Sequence, residues 1–162
     1  MDVNGFKGPN SEARNGKQYD IRSFKVARFS TGCAGNDING IGCVYQLPSY
    51  SPIKAGSDEM KKWDPNWTAE NVGGYASFDN YWAGAKKACD DIGMSLPDKS
   101  KLQSLAKKTT AEKEQLGLPT TGWFWSSSTY RADYAYTVNF DYDLTSSYYK
   151  YSSFSKILCV GD

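Results

Sequence analysis

No histidine occurs anywhere in the 162 residues, so the side chain best suited to proton transfer near neutral pH is missing from the start. Without imidazole there is no Ser-His or Cys-His nucleophilic unit. Carboxylates remain. Asp90–Asp91 and Glu112/Glu114 read as solvated helix faces. Asp141 and Asp143 stand two apart, a spacing that on a strand puts both on one side, beside aromatic residues. Such a pair suits hydrogen bonding to a ligand better than an acid/base dyad, the remaining catalytic option being a glycosidase-like pair. Asp37-Ile38-Asn39-Gly40 opens like a calcium loop but has no acidic residue at the twelfth position. Neither catalysis, nor a metal, nor a cofactor is expected.

Four cysteines are present: Cys33, Cys43, Cys89 and Cys159. Their spacing lacks Cys-x-x-Cys, and with no His a zinc site is not expected. Four thiols allow three pairings, with four buried free thiols as the other option. The favoured arrangement closes a small Gly- and Asn-containing loop through Cys33–Cys43 and ties a helix to the last strand through Cys89–Cys159. Disulfides imply an oxidising compartment. The chain opens on polar residues (Met1-Asp2-Val3-Asn4-Gly5), so the expectation is an exported protein whose export segment has been removed.

The chemistry that stands out is that of contact. Seven of the twelve tyrosines fall between Gly122 and Val160: Tyr130, Tyr134, Tyr136, Tyr142, Tyr148, Tyr149 and Tyr151. Serines fill the gaps at Ser146, Ser147, Ser152 and Ser153, with Arg131, Asp133, Asp141 and Asp143 supplying charge. Tyr offers a large amphipathic surface for two lost rotors, and Ser offers small adaptable hydrogen bonding, the composition of an antibody-like paratope. The bland alternative is a Tyr-rich sheet edge, because Tyr is a good strand former. The Ser-Ser pairs argue against that, since they add neither strand propensity nor packing. A net charge of +1 without a basic stripe argues against nucleic acid. No apolar run is long enough to cross a bilayer.

Elements must hold that run in place. Residues 1–32 read as loop and short strand, with partial alternation over Tyr19–Phe29 directing Ile21, Phe24, Val26 and Phe29 inward. Residues 33–76 show little regular pattern, broken by Gly32, Gly35, Gly40, Gly42, Pro48, Pro52 and Pro65. Trp63 and Trp67 read as packing residues, and Asn66-Trp67-Thr68 fits the N-glycosylation triplet. A helix is predicted over Tyr81–Ile92, capped by Asp79 or Asn80 and ended by Gly93, with Tyr81, Ala85, Ala88, Cys89 and Ile92 on its apolar face. A second follows Leu96-Pro97, capped by Asp98 or Ser100, with Leu102, Leu105 and Ala106 as its stripe. Thr109–Gln115 adds a further turn. From Trp123 the pattern is β: Tyr134, Tyr136, Val138 and Phe140 alternate with Ala135, Thr137 and Asn139, and Lys156–Val160 reads as a buried final strand. Helices followed by strands give an α+β order.

Two resemblances follow from these motifs. Asp2-x-Asn4-Gly5-x-x-Gly8-Pro9-Asn10, with Gly16-Lys17, Asp20 and Phe24, resembles a signature in the globular head of bacterial type IV pilin-like proteins. There it would follow a hydrophobic anchoring helix not included in this chain. Over residues 78–162, an Ala-x-x-Cys helix, Leu96-Pro97, Trp125-Ser126-Ser127-Ser128, Ala135-Tyr136-x-Val138-x-Phe140 and a terminal Cys159-Val160 resemble a C-type-lectin-like domain. The match is best with variable proteins of diversity-generating retroelements. The resemblance implies two helices and a small twisted antiparallel sheet with much loop. It divides a single domain, 1–162, into a loop-rich N-terminal part (1–76) and a lectin-like core (77–162) with a variable face at 129–155.

In that family an error-prone copying step rewrites adenines in Asn codons, which yields Tyr, Ser, Asp, Arg and others but never Lys, Glu, Gln, Met or Trp. From Thr129 to Ser155 only Lys150 belongs to the excluded set, against about six at the usage of the rest of the chain. The family has a fixed Lys near this place. It also commonly has Trp where Tyr136 stands and Arg where Leu158 stands. The resemblance makes Trp123, Trp125, Ala135, Val138, Phe140, Leu158 and Cys159 the frame. The binding set is then Tyr130, Arg131, Asp133, Tyr134, Asp141, Tyr142, Asp143, Ser146, Ser147, Tyr148, Tyr149, Tyr151, Ser152 and Ser153.

The implied protein is extracellular or displayed on the surface of a bacterium, or carried by its phage, and binds a protein or glycan. Other pilin subunits are possible partners, nucleic acid is not, and a membrane would be met only through the missing N-terminal helix. Asp64-Pro65-Asn66 has the composition of a lectin calcium site but precedes the fold's helices. The competing expectations are a structural pilus or pseudopilus subunit without a dedicated ligand, and an enzyme on the same fold.

Overall fold

A computed structural model describes residue 33 and residues 35–161. The pilin-like signature at Asp2–Phe24 and the strand expected over Tyr19–Phe29 lie outside the described residues. The described chain is α+β, as expected, but richer in elements than two helices and one sheet. In order it runs β1 (Asn36–Ile38), β2 (Gly42–Leu47), α1 (Asp58–Trp63), α2 (Ala69–Val72), a 3-10 turn (Gly73–Ser77) and α3 (Tyr81–Asp91). There follow α4 (Lys99–Ala106), α5 (Thr110–Gln115), β3 (Trp123–Arg131), β4 (Tyr134–Asn139), β5 (Leu144–Tyr149) and β6 (Ile157–Gly161).

The chain divides into two compact units. The first takes in the described residues up to Tyr45, Cys89–Ser95 and the described residues from Cys159. It holds most of a sheet ordered β1-β2-β6, in which β1 and β2 pair antiparallel with Asp37 opposite Cys43. Gly40 at φ 87° turns that hairpin in the left-handed region that only glycine enters at no steric cost. Both favoured disulfides are present, Cys33–Cys43 and Cys89–Cys159, with Cα separations of 5.7 and 5.4 Å. Ser95 and Val160 exchange two backbone hydrogen bonds, at 2.8 and 2.7 Å.

The second unit, Gln46–Ala88 with Leu96–Leu158, carries the antiparallel sheet β3-β4-β5. Its helices α3, α4 and α5 start where side chains accept their orphan amide protons. Asn80 Oδ1 accepts from the Ala83 amide, so Asn80, not Asp79, caps α3. Asp98 does the same for α4 through Lys101, and Thr109 with Glu112 forms a reciprocal capping box on α5. The α4 stripe Leu102, Leu105 and Ala106 is fully buried, as its spacing predicts. On α3 the burial is broader than one stripe. Trp82 and Ala83 are buried with Ala85 and Cys89, while Tyr81, Ala88 and Ile92 are only half-covered.

Gly84 explains why that helix is covered on more than one side. A Cβ there would run into the Ser51 carbonyl oxygen and stand 2.8 Å from Pro52 Cα. Both are backbone and cannot swing away. Helix propensity alone favours Ala over Gly by about 1 kcal/mol. Gly84→Ala is nevertheless expected to destabilise by about 1–3 kcal/mol, the range for overpacking, read as a lower denaturation midpoint. A gain in stability would contradict the close approach.

The triple serine of β3 has a structural task. Trp125 pairs with Thr137 and Thr129 with Ala135, so β3 uses four steps where β4 uses two. Ser126–Ser128 take up the excess. Ser126 Oγ donates to the Tyr136 carbonyl at 2.9 Å and accepts from the Ser128 amide at 3.1 Å. The Ser127 amide donates to Pro97 O, and Ser128 Oγ accepts from the Lys99 amide. A bulge that would expose backbone polar groups is thereby stitched to the start of α4.

Candidate ligand-binding face

The period of two along a strand sorts the tyrosines. Tyr134 lies opposite Tyr149, and Tyr136 opposite Ser147, so these four share one face of the sheet. Tyr148, opposite Ala135, and Ser146 belong to the other. On the first face the rings are contiguous. Tyr134 and Tyr149 lie 4.3 Å apart between centroids, Tyr149 stacks on Tyr151 at 4.8 Å, and Tyr130 meets Tyr134 and Tyr136 edge-on at 6.2 and 5.7 Å. Arg131 lies over the Tyr134 ring at 4.5 Å and pairs with Asp133 at 3.6 Å. Apart from the closer Tyr134–Tyr149 pair, the ring spacings fall within the range where aromatic pairs attract beyond simple burial. Tyr130 remains 56% exposed, so the strip faces solvent.

Two members of the strip lie outside the tyrosine run. Tyr75 is 5.4 Å from Tyr149 and 5.0 Å from Tyr151, and Phe78 meets Tyr151 edge-on at 5.1 Å. Phe78 is 47% exposed, unusual for a large apolar ring. Sequence reasoning missed both. The one signal was two aromatics three apart following Gly73-Gly74, in a stretch too short and aperiodic to give a face.

The remaining expected residues are placed differently. Tyr148 joins Trp123, edge-on at 6.1 Å, and Phe154 at 5.6 Å in a second aromatic group on the opposite face. Tyr142, 77% exposed, stands alone in the β4–β5 turn. Asp141 and Asp143 are in that turn rather than on a strand, so the one-sided pair expected from their spacing does not form. Asp141 accepts from the Gly122 amide and from Asn139 Nδ2, both at 3.3 Å, and Asp143 adopts φ 55°. Asn139 Oδ1 accepts from the Tyr142 amide, the Asx geometry that makes a turn here. Ser152 Oγ accepts from the Phe154 amide, and Ser153 is exposed.

Beneath the face lies Lys150. Its Nζ is 3.0 Å from Asp64 Oδ2, with the two side chains 1% and 2% exposed. Asn80 Nδ2 donates to the same carboxylate oxygen at 2.9 Å, and the Trp82 ring lies 4.1 Å from the ammonium. Burial pulls this ammonium below the ordinary lysine value, and the Asp64 carboxylate pulls it back. Asp64 therefore serves an internal ion pair, and among the described residues no group of acidic or thiol ligands is placed to hold a metal. Of the expected frame, Trp125, Ala135, Val138, Phe140, Leu158 and Cys159 are buried, and Trp123 is half-exposed. Phe124 is buried beside Trp125.

The phenols of Tyr50 and Tyr134 are both pushed up to about 12. For Tyr50 the main cause is burial. For Tyr134 it is the hydrogen bond with Tyr149, followed by burial. A raised phenol favours the protonated form in the fold. Its stabilising contribution is whole below the free tyrosine value of about 10 and is lost as pH rises through 12. A spectroscopic titration of tyrosinate should therefore show a component that lags to about pH 12. That component should shrink in Tyr50→Phe and again in Tyr134→Phe. A titration complete by pH 11 would contradict these environments.

The family model described as InvE_AD, an adhesion domain, matches residues 29–160. The chain belongs to this adhesion-domain family. The match is of invasin/intimin-like type and is consistent with a surface C-type-lectin-like domain. No curated protein matches the chain. Membership makes this adhesion domain a surface ligand-binding module rather than a member of a catalytic family. With its two disulfides, it belongs to the extracellular space or the cell surface.

Proposed function

We propose that the adhesion domain binds its ligand through the aromatic face centred on Tyr130, Tyr134, Tyr149 and Tyr151, and that this face is the diversified part of a retroelement variable protein. The domain would be carried at a bacterial surface, or by a phage, on a pilin-like subunit. One observation carries the reading. The exposed side chains of 129–155 are of the types that rewritten Asn codons give, while the one excluded residue, Lys150, is buried in an ion pair beneath them. The one position of excluded type is thus a buried one. The adjoining Tyr75 and Phe78 would form an unchanging margin of the binding surface. Arg131 and Asp133 add charge at its end, where partners can be told apart.

The test needs no natural ligand. Positions 130, 131, 133, 134, 149 and 151 are randomised in a displayed library and selected on an unrelated protein such as lysozyme. A control library randomises six exposed positions on α1 and α2. Binders should arise from the face library with the thermal unfolding of the parent retained. Equal yields from both libraries, or a face library that no longer folds, would overturn the reading.

A further inference from the structure

We propose, on the reading of the tyrosine face as the binding surface, that its ligand is a polypeptide in extended conformation, added as a further strand along the outer edge of β5. The sheet is ordered β3-β4-β5, so one side of β5 has no neighbouring strand. The Lys150 amide donates to the Asp133 carbonyl at 2.9 Å, and Thr137 Oγ1 donates to the Ser146 carbonyl at 3.5 Å. Both bonds mark the even-numbered residues as those turned toward β4. Main-chain groups alternate along an antiparallel pair, so Thr145, Ser147 and Tyr149 direct theirs outward. None of the described hydrogen bonds engages the Thr145 or Ser147 main chain, and of Tyr149 only the carbonyl is taken, by the Ser152 amide at 3.0 Å.

The other edge of the same sheet is closed by the chain itself. On β3 the Trp125 amide donates to the Lys156 carbonyl at 3.0 Å, the Lys156 amide to the Trp123 carbonyl at 2.8 Å, and the Ser127 amide to the Pro97 carbonyl at 2.8 Å. β5 carries none of the devices that keep an edge from pairing. Leu144–Tyr149 has no charge and no proline, and its six pairs with β4 run without a bulge. Leu144, Thr145 and Ser146 are exposed, and Ser146 and Ser147 are too small to cover the main chain beside them. Gln103 Nε2 donates to Thr145 Oγ1 at 2.8 Å, which ties the start of this edge to α4.

The chemistry of the edge selects the partner. Outward main-chain groups recur at every second residue, about 7 Å apart, and a second extended main chain offers donors and acceptors at the same repeat. A helix spends its main chain internally, and the hydroxyls of a glycan have no such period. The added strand would lie beside Ser147 and Tyr149 on the tyrosine side and beside Ser146 and Tyr148 on the other, so alternate ligand residues meet the two sets. Rewriting these side chains would change which ligand residues are accepted. The main-chain bonds do not depend on side-chain identity, so part of the affinity stays constant in a segment whose side chains vary.

The test starts from linear random peptides, displayed and selected on the domain, and takes a recovered peptide as its probe. N-methylation of that peptide, one residue at a time, should weaken binding about tenfold at every second residue of its central stretch and little in between. In the free domain the Thr145 and Ser147 amides should exchange quickly with solvent, and the peptide should slow both about tenfold or more, with Ser146 and Tyr148 slow throughout. Ser147→Pro removes an outward donor and no bond to β4, so it should fold yet lose most of the binding, whereas Ser147→Ala should bind as the parent does. Should Ser147→Pro fail to fold, the N-methyl series on the unaltered domain decides. Strand addition is overturned if no linear peptide is recovered, if the N-methyl profile lacks a period of two, if Thr145 and Ser147 exchange is unchanged, or if a folded Ser147→Pro binds like the parent. Tyr134→Ala/Tyr149→Ala reports separately on the face. A peptide that this variant no longer binds, but whose N-methyl profile has no period, leaves the tyrosine face standing and removes only the added strand.

Discussion

Replacing Lys150 by alanine is expected to lower folding stability by about 3–5 kcal/mol, the range for removing one partner of a buried ion pair. The side chain is 1% exposed and its ammonium is 3.0 Å from a carboxylate that is 2% exposed. Without it, the Asp64 carboxylate keeps only the Asn80 side-chain amide among the described bonds. The damage would spread, because Asn80 also caps α3. The Lys150 backbone is tied in as well: its carbonyl accepts from the Tyr81 and Trp82 amides, and its amide donates to Asp133. A surface pair would give less than about 1 kcal/mol, so the two cases are separable by denaturant unfolding at constant slope. The double variant Lys150→Met/Asp64→Leu should recover a good part of the loss, since it removes both charges. Recovery should be incomplete, because Asn80 Nδ2 then lacks its acceptor. A loss below 1 kcal/mol in Lys150→Ala, or a double variant no better than the single, would contradict this account of what holds the face.

The second large effect is expected at the Cys89–Cys159 bridge. It spans 70 residues of chain, both cysteines are fully buried, and it joins α3 to β6. The loop-entropy model gives about 4 kcal/mol for closing a loop of that length and about 3 kcal/mol for the ten-residue separation of Cys33–Cys43. Cys89→Ala/Cys159→Ala should therefore lower the melting temperature by roughly 10 °C. Cys33→Ala/Cys43→Ala should lower it less. The order of the two decides the matter. If the short-loop variant melts at the lower temperature, native packing around Cys33 outweighs chain entropy.

Sequence reasoning succeeded where a period ran long enough to define a face. Leu102, Leu105 and Ala106 stand at helical spacing behind an Asp cap, and all three are buried. The cysteine pairing favoured from loop composition and helix position is the one present. It failed where elements are only four to six residues long. Met60 on α1 and Val72 on α2 are each the single buried residue of a short helix, and one apolar residue defines no face. The same shortness hid Tyr75 and Phe78.

The tyrosine run was read as one surface because composition ignores strand parity. Consecutive Tyr148 and Tyr149 point to opposite sides of β5, and only the second joins the main strip. That much could have been read from the sequence. A one-sided Asp141/Asp143 pair requires a strand there, and the β pattern does run on through Phe140. What stops it is the Asn139 side chain, which folds onto the Tyr142 amide, a local bond that the hydrophobic pattern does not register.

The separation of a changeable surface from a fixed frame can be measured directly by sequencing this gene, and its surrounding DNA, in many cells of one lineage. The account predicts a reverse-transcriptase gene and a near-copy of the 129–155 segment nearby. It also predicts substitutions concentrated at Tyr130, Arg131, Asp133, Tyr134, Tyr149 and Tyr151, with Trp125, Ala135, Val138 and Lys150 unchanged. Substitutions spread evenly over buried and exposed positions, or a Lys150 that varies as freely as Tyr149, would contradict it.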